Sequence, residues 1–413
     1  MRHFADSAST YIDSLPDALN RRRAWTEFEK IGLPTTTDEV WRYAPLSELS
    51  LDDFEVAHRA GPYADSAFAS RLGAGACLVV RVVDGFCDEP GDLIDGVHVE
   101  SVSPATSFSG ESIDQRYASD SFALMNVALA PATTLIKIAP GANIDLPIVI
   151  VNATLNSSSF PRTQIELGRS ASVTVVEYFE GGEGALVVPL SEYRLGANSS
   201  LRLITYQRLS NSAWHITRTT GFVERDARLS QAVIGVGGHY NRSRNDAVLF
   251  EPGAESELRT TFLGSGRQVH DLRTHQFHQA PRTRSVLLSK GAVADESRSV
   301  YTGLIEIEKG AKRTDARQTN HNLLLSPLAH ADSVPNLDIR ENDVVCAHAS
   351  SVGPLDELQR WYLESRGVER HDAERLMIQG FFNEMLVALP NDLAKLVESD
   401  VTNVLATLRM VAP

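Results

Sequence analysis

Cysteine, basic charge and long apolar runs are all scarce in this sequence of 413 residues. With 3 cysteines it cannot hold a disulfide framework, which indicates a reducing compartment. Lysine and arginine number 39 against 53 aspartates and glutamates, so the formal net charge is -14. This charge argues against nucleic acid or an anionic membrane surface as a partner. No apolar run reaches the roughly 18 to 20 residues of a membrane span, and no secretory leader is visible, so we expect a cytoplasmic protein.

Sequence signatures of nucleotide and metal sites are also missing. No Gly-x-x-x-x-Gly-Lys-Ser/Thr phosphate loop occurs, and the glycines at 235–238 and 264–266 lack dinucleotide spacing, so they indicate turns. Neither His-Glu-x-x-His nor Cys-x-x-Cys is present. The sequence therefore predicts no nucleotide site and no complete metal site within this chain.

What the sequence does contain is a turn motif that recurs every 27 to 30 residues. Its members lie at Gly141, Gly168, Gly196, Gly253 and Gly310, with weaker ones at Asp226 and Arg282. Short segments of alternating polarity lie between them, as in 201–204 and 304–308, which is typical of half-buried strands. A strand repeat of this length predicts a solenoid, because a propeller blade needs about 40 residues. A β-sandwich with regular hairpins is the alternative. We expect the five glycines at equivalent corners, where unusual backbone angles favour glycine.

Helical patterns flank the repeats on both sides. Trp25 and Phe28 share one face of an N-terminal helical segment, and three amphipathic segments follow Gly353. We therefore predict a mainly β protein with three regions: a helical or mixed region at 1–134, a parallel β-helix at 135–354 and a helical region at 355–413. The C-terminal helices either cap the last coil or present a docking surface.

Two groups of residues carry ligand chemistry. On a strand, residues i and i+2 face the same side, so Cys346 and His348 offer two ligands of a soft metal site that another chain would have to complete. The alternative is an ordinary pair. In the second group, alternation places His270 and His278 on one face and His275 on the other. Hydrogen bonding across stacked coils is favoured there over metal binding.

A dense run of motifs extends from Lys309 to Gly367. KGAKRTDARQTN at 309–320 is followed by NLLLS at 322–326, by Cys346-x-His348 and by YLxSRG at 362–367. With Trp41-Arg42-Tyr43 and the 270–278 region, this run resembles the SufB/SufD family of the SUF iron–sulfur cluster assembly machinery. Within that family the sequence is more similar to SufD proteins. SufB proteins carry a Glu-His-Glu-type sequence at 346–348 and a cluster-building cysteine inside the solenoid, where this chain has none between Cys87 and Cys346.

The resemblance implies a right-handed parallel β-helix between helical regions, and a scaffold and assembly subunit that is not an enzyme. It implies pairing with a SufB-like subunit through the β-helices and docking of a SufC-like ATPase on the C-terminal helices. It also implies His348, and after it Cys346, as contacts for iron or a transient iron–sulfur cluster at the shared interface. A SufB-like paralogue, a carbohydrate-acting enzyme on a β-helix and an inert structural partner stay open as alternatives. Four further points stay open. They are formation of a homodimer by the isolated chain, the type of cluster, binding of a flavin to the complex and a function for the three histidines.

Overall fold

A β-solenoid of about 8 turns, with helices at both ends of the chain, forms the computed structural model. The structure describes residues 2–63, 66–72, 77–88, 91–104, 120–386 and 389–407. Parts of the two predicted terminal regions, residues 105–119 and 408–413 among them, lie outside the described residues. The predicted solenoid is confirmed, and the β-sandwich alternative is wrong because the strands of both sheets run parallel through the repeats.

Apart from an antiparallel two-residue strand at its edge, the first sheet pairs its strands in the order in which they follow along the chain. It contains β1 (Leu78–Val83), β2 (Phe86–Cys87), β6 (Ile148–Thr154), β9 (Ser172–Gly181), β12 (Ser200–Leu209), β14 (Arg228–Gly235), β16 (Glu255–Gly264), β18 (Arg284–Val293), β20 (Thr314–Leu324) and β22 (Val344–Gly353). Because β1 already pairs in parallel with β6, this sheet begins upstream of residue 135.

The second sheet takes the strands that alternate with these. It contains β3 (Gly91–Ile94), β4 (Val97–Val102), β5 (Thr133–Ile138), β7 (Ser158–Ser159), β8 (Arg162–Leu167), β10 (Leu186–Val187), β11 (Leu190–Leu195), β13 (Trp214–Val223), β15 (Tyr240–Leu249), β17 (Val269–His278), β19 (Arg298–Ile307) and β21 (His330–Ile339). Each coil thus gives one strand to the first sheet and either one strand or two short ones, such as β10 and β11, to the second.

Left-handed residues mark one corner of each coil, 27 to 31 residues apart. They are Gly141, Ser170, Asn198, Asp226, Gly253, Arg282 and Arg313. The expectation that Gly310 occupies this position is wrong, because the strand register places Arg313 there. The same expectation is wrong for Gly168 and Gly196, because the register places the residues two positions later there. Those two glycines are needed for close approach instead: a Cβ on Gly168 would lie 2.5 Å from the Pro140 backbone nitrogen, and one on Gly196 would lie 2.8 Å from the Leu167 carbonyl oxygen.

Seven α-helices are described. They are α1 (Arg2–Ser14), α2 (Ala18–Ile31), α3 (Ala67–Leu72), α4 (Ser121–Leu129), α5 (Glu357–Ser365), α6 (Arg370–Leu386) and α7 (Asn391–Thr407), and short 3-10 turns lie at Glu39–Trp41, Leu46–Glu48 and Leu51–Asp53. Helices α1, α2 and α4 share a buried cluster with Trp214, Ile216 and Tyr240 of the second sheet. No helix in the described part of the chain is long and apolar enough to cross a membrane.

The C-terminal helices lie along the outer face of the first sheet. Ile378 of α6 and Val397 of α7 share a buried cluster with Tyr178 and Tyr206. The Tyr206 hydroxyl donates to Asp400, which also forms an ion pair with Arg208 at 3.4 Å. These helices therefore return from β22 towards β12, so the expectation that they cap the last coil is wrong. The docking alternative stays a prediction.

Candidate functional site at the open end of the solenoid

Cys346 and His348 lie on β22, the last strand of the first sheet. Residue Cys346 pairs in register with Ala316, and His348 with Gln318, both of which are buried inside the solenoid. Parallel strands in register direct paired side chains to the same face, so the two residues share one face, as the i, i+2 spacing predicted. That face is the inner one, and the expectation that both point outwards is wrong. Because β22 has no further coil beyond it among the described residues, the inner face is open to solvent at this end.

We call this place the terminal lumen, meaning the inner face of β21 and β22. One half is apolar: Val344 and Cys346 pack on Ile305, Ile307 and Ala316, and Leu337 is 37% exposed. The other half is polar: Ser350 donates to the Ser333 hydroxyl at 2.8 Å. The thiol of Cys346 and the imidazole of His348 thus lie where the apolar half of the terminal lumen meets the polar half.

The thiol of Cys346 is not activated by its surroundings. Burial raises its pKa above the ordinary value, and the negative charge of Asp315 raises it further. A protonated thiol is a weak nucleophile and a weak ligand, so a metal would have to displace the proton on binding. In the described part of the chain, no group of three or more His, Cys, Asp or Glu side chains converges as a metal site. A metal held by this pair would therefore need further ligands from another source.

The three histidines of β17 do not converge. His270 and His278 face the interior and His275 faces outwards, which confirms the predicted alternation. The Asn241 amide lies 3.2 Å from Nδ1 of His270, and His278 bonds Thr283 and Ser285 at 2.8 Å each. Burial lowers the pKa of His270 to about 4 and that of His278 to about 3, so both are neutral at pH 7. Hydrogen bonding within the stacked coils therefore accounts for the two inner rings.

His275 has a different environment on the outer surface of the second sheet. Its Nε2 lies 3.0 Å from the Glu306 carboxylate on the next coil. It lines a cavity of about 570 Å³ between that sheet and the segment Glu39–Tyr43. The three imidazoles are thus divided between two faces, which excludes a joint metal site.

A buried ionic network on the same outer face was missed by the sequence reasoning. Asp271 accepts from Arg242 and from the Tyr240 hydroxyl, and it lies 3.2 Å from Nε of Arg273. The Arg242 guanidinium also stacks 3.7 Å from the Trp41 ring and donates to the Val40 carbonyl. The network therefore fastens the N-terminal segment to the solenoid. Its sequence signal is a set of charged residues at i, i+2 spacing on consecutive coils.

Helix α5 presents large apolar side chains to solvent. Leu358, Trp361 and Tyr362 are all exposed, with Trp361 at 67%. Beside the helix, Pro327, Leu355 and Arg360 help to line a groove of about 300 Å³. Exposed aromatic residues next to an apolar groove are typical of a protein-docking surface.

The sequence of this chain is similar to one family model and to several known proteins. A family model described as "SUF system FeS cluster assembly, SufBD core domain" matches residues 149–381, more than half of the chain. The iron–sulfur cluster assembly protein SufD of Escherichia coli K12 is 28% identical over 382 residues, covering 88% of this chain and 87% of that protein. SufD of Bacillus subtilis 168 is 28% identical over 272 residues, covering 64% and 62%. The chloroplastic protein ABCI7 of Arabidopsis thaliana is 28% identical over 379 residues, covering 87% and 79%.

Proposed function

This chain belongs to the SufBD family of the SUF iron–sulfur cluster assembly system, and we propose that it acts there as a SufD-type scaffold subunit. In this role it is not an enzyme. It pairs with a SufB-like chain, binds a SufC-like ATPase and presents His348 and Cys346 to a nascent cluster. The observation that carries the proposal is the incomplete ligand pair at an unpaired end of both sheets.

The unpaired strand edges support pairing with a second β-helix. Strands β21 and β22 each have one neighbouring strand among the described residues, so each leaves a row of backbone groups for another chain. Val334, Ile339, Val345 and Val352 are exposed along these two strands. A partner that adds strands here satisfies the backbone, covers the apolar side chains and brings further ligands to the terminal lumen.

The chemistry of the pair fits iron and sulfide as cargo. Imidazole and thiolate are ligands that iron and iron–sulfur clusters accept in proteins. The raised pKa of Cys346 keeps the free thiol protonated near neutral pH, which limits oxidation before the cargo arrives. His348 is exposed and offers its ring nitrogens to solvent, so we assign it the first contact.

Helix α5 is the surface that we propose for the ATPase. Its three exposed apolar residues stand clear of the solenoid core, and a chain without a phosphate loop needs a partner for any step driven by ATP. Substituting Trp361 with alanine should weaken ATPase capture without unfolding the solenoid, because the side chain is mostly in solvent. Undiminished capture in a pull-down would contradict this assignment.

The function is tested by co-expressing the chain with a SufB-like and a SufC-like protein and measuring iron and sulfide after reconstitution. We expect His348→Ala to assemble normally and to retain less iron and sulfide, with Cys346→Ser similar or milder. The control is His98→Ala, since His98 is also half-exposed but lies on β4 at the other end of the solenoid. A well-assembled His348→Ala complex with the wild-type cluster yield would refute the proposed role.

A further inference from the structure

The inner face of the first sheet carries a row of side chains stacked from coil to coil. In register, the row is Val175, Leu203, Gln231, Leu258, Leu287, Gln318 and His348. Neighbouring members are about 4.8 Å apart, which is the spacing of paired strands. Gln318 is thus the residue directly below His348, and it separates the imidazole from two leucines.

The Gln318 amide has no hydrogen-bond partner among the described residues. The side chain is 1% exposed, and neither Nε2 nor Oε1 is bonded. A buried amide without a partner is unfavourable, so a hydrogen bond to a neighbouring polar group would stabilise this one. Leu287 on the inner side has no polar atom to offer. The remaining direction along the row leads to the exposed ring of His348.

The wall opposite Gln318 is shaped to leave its amide room. A Cβ on Gly303 would lie 2.5 Å from Nε2 and 2.6 Å from Oε1 of Gln318, so only glycine fits there without displacing the amide. The Tyr301 hydroxyl lies 2.4 Å from the same point and 3.4 Å from the Thr274 hydroxyl. The amide therefore lies in a small polar space directly behind His348.

From this placement we infer that Gln318 is a positioning residue for His348. The amide is unbonded in the structure, and when the His348 side chain turns towards it, the amide bonds one ring nitrogen, which fixes the tautomer and the orientation of the ring and leaves the other nitrogen free for iron. An amide suits the task because it donates through Nε2 and accepts through Oε1. Residues behind a metal-binding histidine commonly act in this way. The inference rests on the proposed role of His348.

The test compares Gln318→Met with Gln231→Met. Both glutamines are buried in the same row with unpaired amides, but Gln231 lies four coils from His348. Methionine keeps the shape and removes the polar atoms. Two quantities are measured: the ¹⁵N chemical shifts of the His348 ring in the isolated full-length chain, and the iron retained on the reconstituted complex. Gln318→Asn, whose amide is too short to reach, is the second variant if Gln318→Met does not fold.

We expect Gln318→Met to change the tautomer ratio reported by the His348 ring shifts and to lower retained iron by roughly tenfold. Gln231→Met should leave both as in the wild type. Unchanged ring shifts in Gln318→Met would overturn the inference whatever the iron yield, and so would an equal change in Gln231→Met. A normal iron yield in His348→Ala would refute the proposed function instead. The ring shifts are read without iron, so the two failures are distinguishable.

Discussion

Removing the Asp271 carboxylate should be among the most destabilising single changes in this protein. The side chain is 1% exposed and neutralises two buried guanidinium groups, those of Arg242 and Arg273. In Asp271→Ala both cations would remain inside without their ion-pair partner, and the Tyr240 hydroxyl would lose its acceptor. Breaking a buried ion pair from one side costs about 3–5 kcal/mol. Because Arg242 also holds Val40 and Trp41, the N-terminal segment should loosen with it.

The assay is equilibrium unfolding in urea, followed by far-ultraviolet circular dichroism. The matched control is Asp315→Ala, because Asp315 pairs with Arg317 at 3.0 Å on the surface, where the two side chains are 37% and 59% exposed. A surface pair of this kind is worth about 0–1 kcal/mol. If Asp271→Ala unfolds within about 1 kcal/mol of that control, the buried network does not fasten the N-terminal segment and the reasoning is wrong.

Three further predictions follow from the same contacts. Cys346 should react slowly with iodoacetamide at pH 8, and the rate should still be rising above pH 9, because burial and Asp315 raise the thiol pKa; a plateau below pH 8 would contradict this. The pKa of His278 is lowered by burial to about 3, so the unfolded chain takes up a proton that the folded chain does not between about pH 6.5 and pH 3. The stability that His278 contributes is complete above pH 6.5 and falls by up to about 1.4 kcal/mol per pH unit below it, and His278→Gln should weaken this acid dependence in urea unfolding. Tyr206→Phe removes the hydroxyl that donates to Asp400, so amide hydrogen exchange in α7 should accelerate while exchange in β18 stays unchanged.

The repeat could be predicted from the sequence, but the residues at its corners could not all be identified. Recurrent glycines revealed the period because tight corners favour them. Glycine serves two purposes, however, and residue type alone does not separate them. At Gly253 it adopts a left-handed conformation, whereas at Gly168 it makes room for a neighbouring backbone. Only the strand register shows that Ser170 takes the left-handed position in that coil.

The candidate site shows the same division between local and long-range information. The i, i+2 spacing placed Cys346 and His348 on one face, because strand periodicity is a local property. Which face it is depends on how β22 aligns with β20, about 30 residues earlier, and Val344 and Val345 give no apolar preference for either side. The network around Asp271 requires two such alignments and the docking of a segment more than 200 residues away. Neither can be predicted from local patterns.

The path of the C-terminal helices has a consequence for how the solenoid loses its structure. In a stack where each coil contacts only its neighbours, the last coil can fray without disturbing the rest. Here the chain leaves β22 and is fastened to β12 through Asp400, five strands back and about 24 Å away. Unfolding of the terminal coil therefore also strains the helical segment α5–α7, which is anchored near the middle of the stack. Opening of the terminal lumen is therefore coupled to release of α7 from β12, although no further coil covers that lumen among the described residues.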